Sequence, residues 1–173
     1  MNKNIPSLLM LCIFYSGVFA EDKLDIELKD ISIETPPGSM SPHLSTSKSN
    51  VTILNWLEPI DDGHRIQFSK FDSEWASPSS VTQGNDWFIN WADFPSVINF
   101  NENEYAAHWL QKSGESTYAY DAYISISKND GKSWSQPIKA HNDNTQTEHG
   151  FLSFYEHENE LGFIYLDGRK MAN

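Results

Sequence analysis

Three stretches of the chain repeat one pattern: a short apolar run, a polar turn, and a second run ending in an aromatic residue followed by leucine. They are residues 41–59, 94–112 and 149–169. The aromatic residues are Trp56, Trp109 and Tyr165, so the pattern recurs after 53 and then 56 residues. Short strands separated by turns and repeated at such a period predict an all-β chain built from similar antiparallel units.

A second pair of segments follows the same period. Residues 64–78 and 122–137 each hold an apolar run, a polar turn and a tryptophan three residues before a proline. Each repeat thus predicts four short antiparallel strands, the unit of a β-propeller blade. We predict blades at about 41–83, 94–140 and 149–173, or about two and a half to three blades. A ring needs about four to eight blades, so we expect missing blades in a longer chain or self-association.

The polar turn of the second repeat, Ser127 to Trp134, reads SKNDGKSW. Asx side chains favour turns, Gly131 tolerates positive φ, and Trp134 is expected to anchor the hairpin in the core. The octamer resembles the Asp-box of sialidases and related β-propellers, a Ser-x-Asp-x-Gly-x-Thr-Trp hairpin. Asn129 stands at the third position and Asp130 follows it. Asp-boxes of that family lie away from the active site, so the resemblance implies a structural hairpin.

Five further stretches look like those of bacterial exported proteins of the sialidase-like, BNR-repeat class. They are DWFINWADFPSV, AAHWLQKSG, TYAYD, TEHGF and LDGR. The resemblance covers residues 41–169 and implies a glycan-directed protein of the glycoside-hydrolase type. Sialidases clamp the substrate carboxylate with three Arg, whereas this chain has only Arg65 and Arg169 and lacks an Arg-Ile-Pro segment. We therefore expect no sialidase turnover from these residues alone.

Long connections are expected at one edge of the sheets, where functional loops tend to lie. They are residues 58–65, 81–94, 111–121, 141–150 and the run from 167. Trp and Asp together suit a sugar, because indole stacks on the ring and carboxylates bind hydroxyls or transfer protons. The candidate catalytic residues are Asp86, Asp93, Glu148 and Asp167. The candidate substrate-binding residues are Trp87, Trp91, His149, Arg65 and Arg169.

Each candidate also has a structural interpretation, and the sequence leaves both open. The two tryptophans would equally pack between blades, Glu148 would be a solvated loop charge, and Asp167 with Gly168 would form a simple turn. Tyr118 and Tyr120 suggest the tyrosine nucleophile of sialidases, but they lead into a strand and are predicted to be core aromatics. His141, Asp143, Glu148 and His149 match no zinc spacing, so neither a metal site nor a cofactor is expected.

The first twenty residues have the features of a secretory signal peptide. A single Lys precedes an apolar run, and Val18-Phe19-Ala20 places small residues at the cleavage positions. We predict cleavage after Ala20 and a secreted or periplasmic protein. Residues 21–40 form an N-terminal segment whose alternating Leu24, Ile26 and Leu28 predict a short edge strand.

Composition narrows the partners. The net charge is −12, which argues against nucleic acid and anionic membranes and leaves a carbohydrate or glycoconjugate as the expected partner. The only cysteine, Cys12, lies in the signal peptide, so no disulfide is expected. Three hypotheses remain open: a glycoside hydrolase or lyase-like enzyme, a non-catalytic carbohydrate- or protein-binding propeller, and a remnant without independent function.

Overall fold

The computed structural model describes residues 26–158 and 160–171, and the predicted signal peptide lies outside them. Three antiparallel sheets follow one another along the chain. Sheet 1 holds β1 (Met40–Thr46), β2 (Thr52–Ile60), β3 (Gly63–Asp72), β4 (Glu74–Trp75) and β5 (Ser79–Gly84). Sheet 2 holds β6 (Ser96–Asn101), β7 (Glu104–Lys112), β8 (Tyr120–Ser127) and β9 (Ile138–Lys139). Sheet 3 is the hairpin of β10 (His149–His157) and β11 (Glu160–Asp167).

The all-β prediction is confirmed for the described residues, whose one helical element is a 3-10 turn at Arg169–Met171. Among them there is no helix of the length and apolarity that crossing a membrane requires. Strand neighbours follow sequence order from β1 to β4 and from β6 to β9, with β5 also pairing with β3. The sequence repeats therefore correspond to successive sheets, because each repeat supplies its own meander.

Three details differ from the sequence predictions. None of residues 26–35 belongs to a strand, so the described part of the expected edge strand is wrong; Ile26 and Leu28 are exposed there. The expected long loop at 58–65 is a tight turn, because β2 and β3 stay paired up to Ile60 and Gly63. The expected loop at 81–94 begins only after Gly84, since β5 pairs with the first half of β3, from His64 to Phe68.

The main core lies between sheets 1 and 2, where alternate residues of facing strands meet. It consists of Ile53, Leu57, Ile66, Phe68 and Val81 from sheet 1, Val97, Tyr105, Ala107 and Trp109 from sheet 2, and Trp87 from the connection. A second core between sheets 2 and 3 consists of Leu110, Tyr120, Ala122, Ile124 and Leu152. Each sheet thus uses the next one to cover an apolar face, which is the main source of stability in such a fold.

A buried amide also joins sheets 1 and 2. The side chain of Asn55 on β2 donates to the Pro95 carbonyl at 3.0 Å and accepts from the Val97 amide at 2.8 Å. Ser45 on β1 donates to the Val97 carbonyl at 2.9 Å. Because both polar groups of a fully buried amide are satisfied, Asn55 fixes where β6 lies on sheet 1.

The sheets have two edges with different connections. The turn edge carries the β1–β2 and β6–β7 turns and the 127–134 hairpin, and there the Asp130 amide donates to the Asn103 carbonyl at 2.8 Å. The loop edge carries connections 85–95, 113–119 and 140–148 and residues 167–171. A bridge between Tyr120 and Glu148 joins the start of β8 to the 140–148 connection. The predicted separation of short turns from long loops is therefore present in the described residues.

Candidate functional site

The 127–134 hairpin at the turn edge closes on itself through side-chain hydrogen bonds. Ser127 Oγ accepts from the Gly131 amide at 2.9 Å and donates to Asn129 Oδ1 at 3.0 Å. Asn129 Oδ1 also accepts from the Ser133 amide at 2.9 Å. The side-chain oxygen at the third position of the octamer is therefore the acceptor that closes the turn. Gly131 has φ of 78°, and a Cβ there would lie 2.5 Å from the ring of Phe68. The residue types of this turn are therefore those that its backbone requires.

The same hairpin fastens sheet 2 to sheet 1. Asp130 accepts from Lys70 Nζ at 2.7 Å and from the Tyr105 hydroxyl at 2.9 Å. Burial alone would raise the pKa of Asp130, but these two hydrogen bonds outweigh it and the pKa is lowered. Trp134 is half-buried and meets Phe68 edge-to-face with centroids 6.0 Å apart. Its contacts are consistent with the predicted structural role of the hairpin.

At the loop edge, Tyr120 lies between two carboxylates. Its hydroxyl is 2.7 Å from Glu148 Oε1 and 3.4 Å from Asp93 Oδ2. The ring stacks on Phe88 at a centroid distance of 4.0 Å, and the residue is only 1% exposed. Burial, followed by the hydrogen bond to Glu148, raises the pKa of Tyr120, which keeps the phenol protonated as the donor. Tyr120 therefore holds Glu148 in place.

Asp93 is the buried member of this group. Its Oδ2 also accepts from the Phe151 amide at 2.8 Å, and burial raises the pKa of its carboxyl. Gly150 makes this approach possible, because a Cβ at that position would meet the Asp93 carboxylate and lie 2.6 Å from the Tyr120 ring. Asp93 lines a cleft of about 370 Å³ that also involves Phe94 and His108.

Glu148 is half-buried and lines a different cleft, of about 600 Å³. The other lining residues are Ser116, Tyr118, Gln146, Thr147 and Met171. Tyr118 is 61% exposed and belongs to the 113–119 connection, so the prediction that it is a core aromatic is wrong. The prediction is right for the Tyr120 ring. An exposed aromatic ring next to a carboxylate is a common arrangement for binding a sugar.

A charged cluster lies beside this cleft. His149 Nε2 is 3.3 Å from Asp143 Oδ2 and 3.6 Å from Asp167 Oδ1, while Arg169 Nε is 2.7 Å from Asp167 Oδ2. Arg169 also approaches Asp143 at 3.3 Å. Hydrogen bonds from Thr145 hold the pKa of Asp143 well below its usual value, and the Arg169 side chain lowers the pKa of Asp167. Both carboxylates are therefore anionic at neutral pH.

The structure brings Asp93, Glu148, His149, Asp167 and Arg169 to this edge, and gives three other candidates different surroundings. Arg65 lies on β3 and pairs with Glu58 at 3.7 Å. Asp86 accepts from the Gln111 side chain at 2.6 Å. Trp87 is only 8% exposed and packs near Trp109, an environment that favours the packing interpretation of this residue.

Trp91 has the opposite environment, since it is 91% exposed. The two tryptophans are four residues apart in one connection, yet one fills the core and the other is free to contact a ligand. Sequence reasoning did not assign functional roles to Tyr118, Tyr120 or Asp121. No local signal separates Tyr118 from Tyr120, because residues two apart share a face in a strand; they differ because β8 begins only at Tyr120.

No protein-family model matches the chain, and neither curated proteins nor solved structures provide a match.

Proposed function

We propose that the three sheets are successive blades of a sialidase-like β-propeller whose loop edge is a glycan-directed site of the glycoside-hydrolase type. Three features support the fold assignment: the sequential strand order in sheets 1 and 2, the face-to-face cores between sheets, and the hydrogen-bonded 127–134 turn. Only part of a ring lies within the described residues, because rings need about four to eight blades.

The observation that carries the functional proposal is the cleft at Glu148. One carboxylate, fixed by the Tyr120 hydroxyl at 2.7 Å, lies there beside the exposed ring of Tyr118. A sugar would stack an apolar ring face on Tyr118 and place its hydroxyls or glycosidic oxygen at Glu148. Glu148 is the proton-transferring residue of this proposal because it is the carboxylate that lines the cleft.

Asp93 is the second carboxylate. Since Asp93 Oδ2 and Glu148 Oε1 both approach the Tyr120 hydroxyl, at 3.4 and 2.7 Å, they cannot be farther apart than those distances together. That limit is shorter than the roughly 6.5–9.5 Å between the carboxyl groups of inverting glycosidases. Asp93 lines a different cleft from Glu148, so the proposal assigns proton transfer to Glu148 alone. Burial raises the pKa of the Asp93 carboxyl, and Asp93 shares the Tyr120 hydroxyl with Glu148. Tyr120 is a positioning residue, because its buried hydroxyl does not reach the cleft.

Sialidase activity itself is not expected. A sialic acid carboxylate needs free guanidinium groups, and the two arginines of this chain have carboxylate partners: Arg65 pairs with Glu58, and Arg169 pairs with Asp167. Either arginine would have to leave its carboxylate partner to receive such a substrate. A neutral sugar makes no such demand.

Hydrolysis of a panel of fluorogenic aryl glycosides, neutral and sialylated, tests the proposal. We expect turnover of a neutral glycoside that falls at least about 100-fold in Glu148→Gln, as for loss of an acid–base group. Glu115→Gln, an exposed change in the neighbouring 113–119 connection, is the matched control and should leave turnover unchanged. Robust sialoside turnover that disappears in Arg169→Ala would contradict the conclusion that Arg169 is held by Asp167 and does not bind sialic acid.

The second candidate function is a non-catalytic carbohydrate-binding propeller, and the exposure of Trp91 favours it. That ring lines a shallow cleft with Pro42, Ile89 and Phe94. Binding of the same sugars without turnover, weakened by Trp91→Ala and unaffected by Glu148→Gln, would identify this function instead. Absence of both binding and turnover across the panel would overturn the glycan proposal as a whole.

A further inference from the structure

Two histidine rings are stacked between carboxylates where sheets 2 and 3 meet. His141 follows β9 and His149 begins β10; their ring centroids are 3.8 Å apart and the planes differ by 6°. Asp121 of β8 lies at one end of the pair, 3.1 Å from His141 Nε2 and 3.5 Å from His149 Nδ1. Asp143 lies at the other end, 3.1 Å from His141 Nδ1 and 3.3 Å from His149 Nε2.

Several polar atoms of this group have no hydrogen-bond partner among the described residues. They are Asp121 Oδ1, His141 Nε2 and His149 Nε2, whose short contacts with one another and with Asp143 do not have hydrogen-bonding geometry. The side chains of both histidines are 0% exposed and that of Asp121 is 3% exposed. Bulk water therefore does not reach these atoms to act as the missing partner. Buried polar atoms nearly always have a partner, and an unpaired one is costly. Two of these atoms, Asp121 Oδ1 and His141 Nε2, face each other at 3.1 Å at one end of the pair, which indicates a ligand there.

The charges of the cluster show which kind of ligand is suitable. With neutral histidines the cluster has a net charge of −1. Its three carboxylates are those of Asp121, Asp143 and Asp167, and its two cationic side chains are those of Lys139 and Arg169. Lys139 Nζ binds Asp121 Oδ2 at 2.6 Å, which leaves Oδ1 of the same carboxylate without a partner. An excess of negative charge beside two buried imidazoles favours a cation.

We propose that Asp121 Oδ1, His141 Nε2 and His149 Nδ1 bind a divalent cation of the zinc class. These atoms lie within 4.8 Å of one another. The separations of 3.1 and 3.5 Å from Asp121 Oδ1 match the edges, about 3.3 Å, of a tetrahedron around a zinc ion with bonds of about 2.0–2.1 Å. Two imidazoles and one carboxylate are a common zinc donor set, and a fourth position would remain for water.

The surrounding groups are those that a histidine-bound metal needs. With the cation at the Asp121 end, both histidines carry their proton on the nitrogen that faces Asp143, and a carboxylate behind a ligating imidazole fixes its tautomer. His149 Nδ1 would give up its contact with the Thr147 carbonyl at 3.1 Å, and that carbonyl also accepts from the Tyr120 amide. The parallel rings would tilt towards the cation.

Such a cation would join three segments that are distant in sequence: β8, the connection after β9, and the start of β10. It would therefore fasten sheet 3 to sheet 2 at the loop edge. The inference does not depend on the glycan proposal, because its ligands are different residues and its measurement needs no sugar.

Zinc titration of the metal-free chain, purified without a histidine tag, tests the inference. We expect one zinc per chain by calorimetry and by elemental analysis after dialysis, together with a higher melting temperature. His141→Gln and Asp121→Asn should each weaken zinc binding at least tenfold. His157→Gln is the matched control, because the side chain of His157 is 76% exposed. His157 also lies at the opposite end of β10 from His149.

Less than stoichiometric zinc in the wild-type chain would overturn the inference and point to a proton shared by the two histidines. Equal zinc binding by His141→Gln and the wild type would also overturn it, since surface groups would then account for the metal. If circular dichroism shows that the variants do not fold, the absorption spectrum of the wild-type chain with bound cobalt tests the proposal instead. Visible absorption bands of a tetrahedral cobalt site support the proposal, and their absence contradicts it.

Discussion

The turn edge and the loop edge of the sheets use polar residues in opposite ways. In the 127–134 hairpin, Ser127, Asn129 and Asp130 have their side-chain oxygens paired with nearby donors. At the loop edge, buried atoms of Asp121 and His149 lack partners among the described residues, and Asp93 has a raised pKa. Satisfied polar groups stabilise a fold, whereas unsatisfied ones cost stability. We therefore propose that the turn edge serves stability and that the loop edge serves ligand binding.

Replacing a tryptophan at each edge should give the largest difference. Trp134→Ala removes a half-buried ring that packs on Phe68, and we expect a loss of about 3 kcal/mol, the low end for a buried aromatic. Trp91→Ala removes a ring that is 91% exposed and should change stability by less than about 0.5 kcal/mol. Urea unfolding followed by circular dichroism measures both. Equal losses would remove the distinction between the edges.

Acid should weaken the fold through His108, which is buried beside the Asp93 cleft. Burial lowers the pKa of His108 to about 3, so the unfolded chain binds the proton more readily. The free energy of unfolding should therefore fall as the pH drops below about 6.5, by about 2 kcal/mol at pH 5. Urea midpoints at pH 7.5 and 5 measure this loss. His108→Gln should show a smaller loss, and an unchanged pH dependence in that variant would refute the assignment.

Neutralising one aspartate at each edge should shift stability in opposite directions. Asp130→Asn weakens the contacts with Lys70 and Tyr105 and should cost about 1 kcal/mol at pH 7. Its lowered pKa means that this stabilisation is lost as the pH falls below about 4. Asp93→Asn removes a buried carboxylate whose raised pKa makes its ionisation unfavourable as the pH rises above about 4, so at pH 7 we expect a small gain in stability. Two losses of similar size would contradict the comparison.

The sequence predicted the meander of each repeat because alternating apolar residues and turn residues are local signals. It also indicated that Glu148, His149, Asp167 and Arg169 share an edge, since that follows from strand order. It did not separate Trp87 from Trp91, because burial in a connection depends on packing against Trp109 of a different strand. The stacking of His141 on His149 was equally unpredictable, since it arises where β10 lies on sheet 2.

The most direct test of the assignment of function to the loop edge is a sugar titration followed residue by residue. Nuclear magnetic resonance spectra of the ¹⁵N-labelled chain would be recorded with increasing lactose and, separately, 3′-sialyllactose. We expect shifts in the Trp91 indole and in the amides of Tyr118, Thr147 and Glu148, with no added effect of the sialic acid. The amides of Ser127 to Trp134 should stay unchanged. Shifts confined to that hairpin, or no shifts with either sugar, would contradict the account.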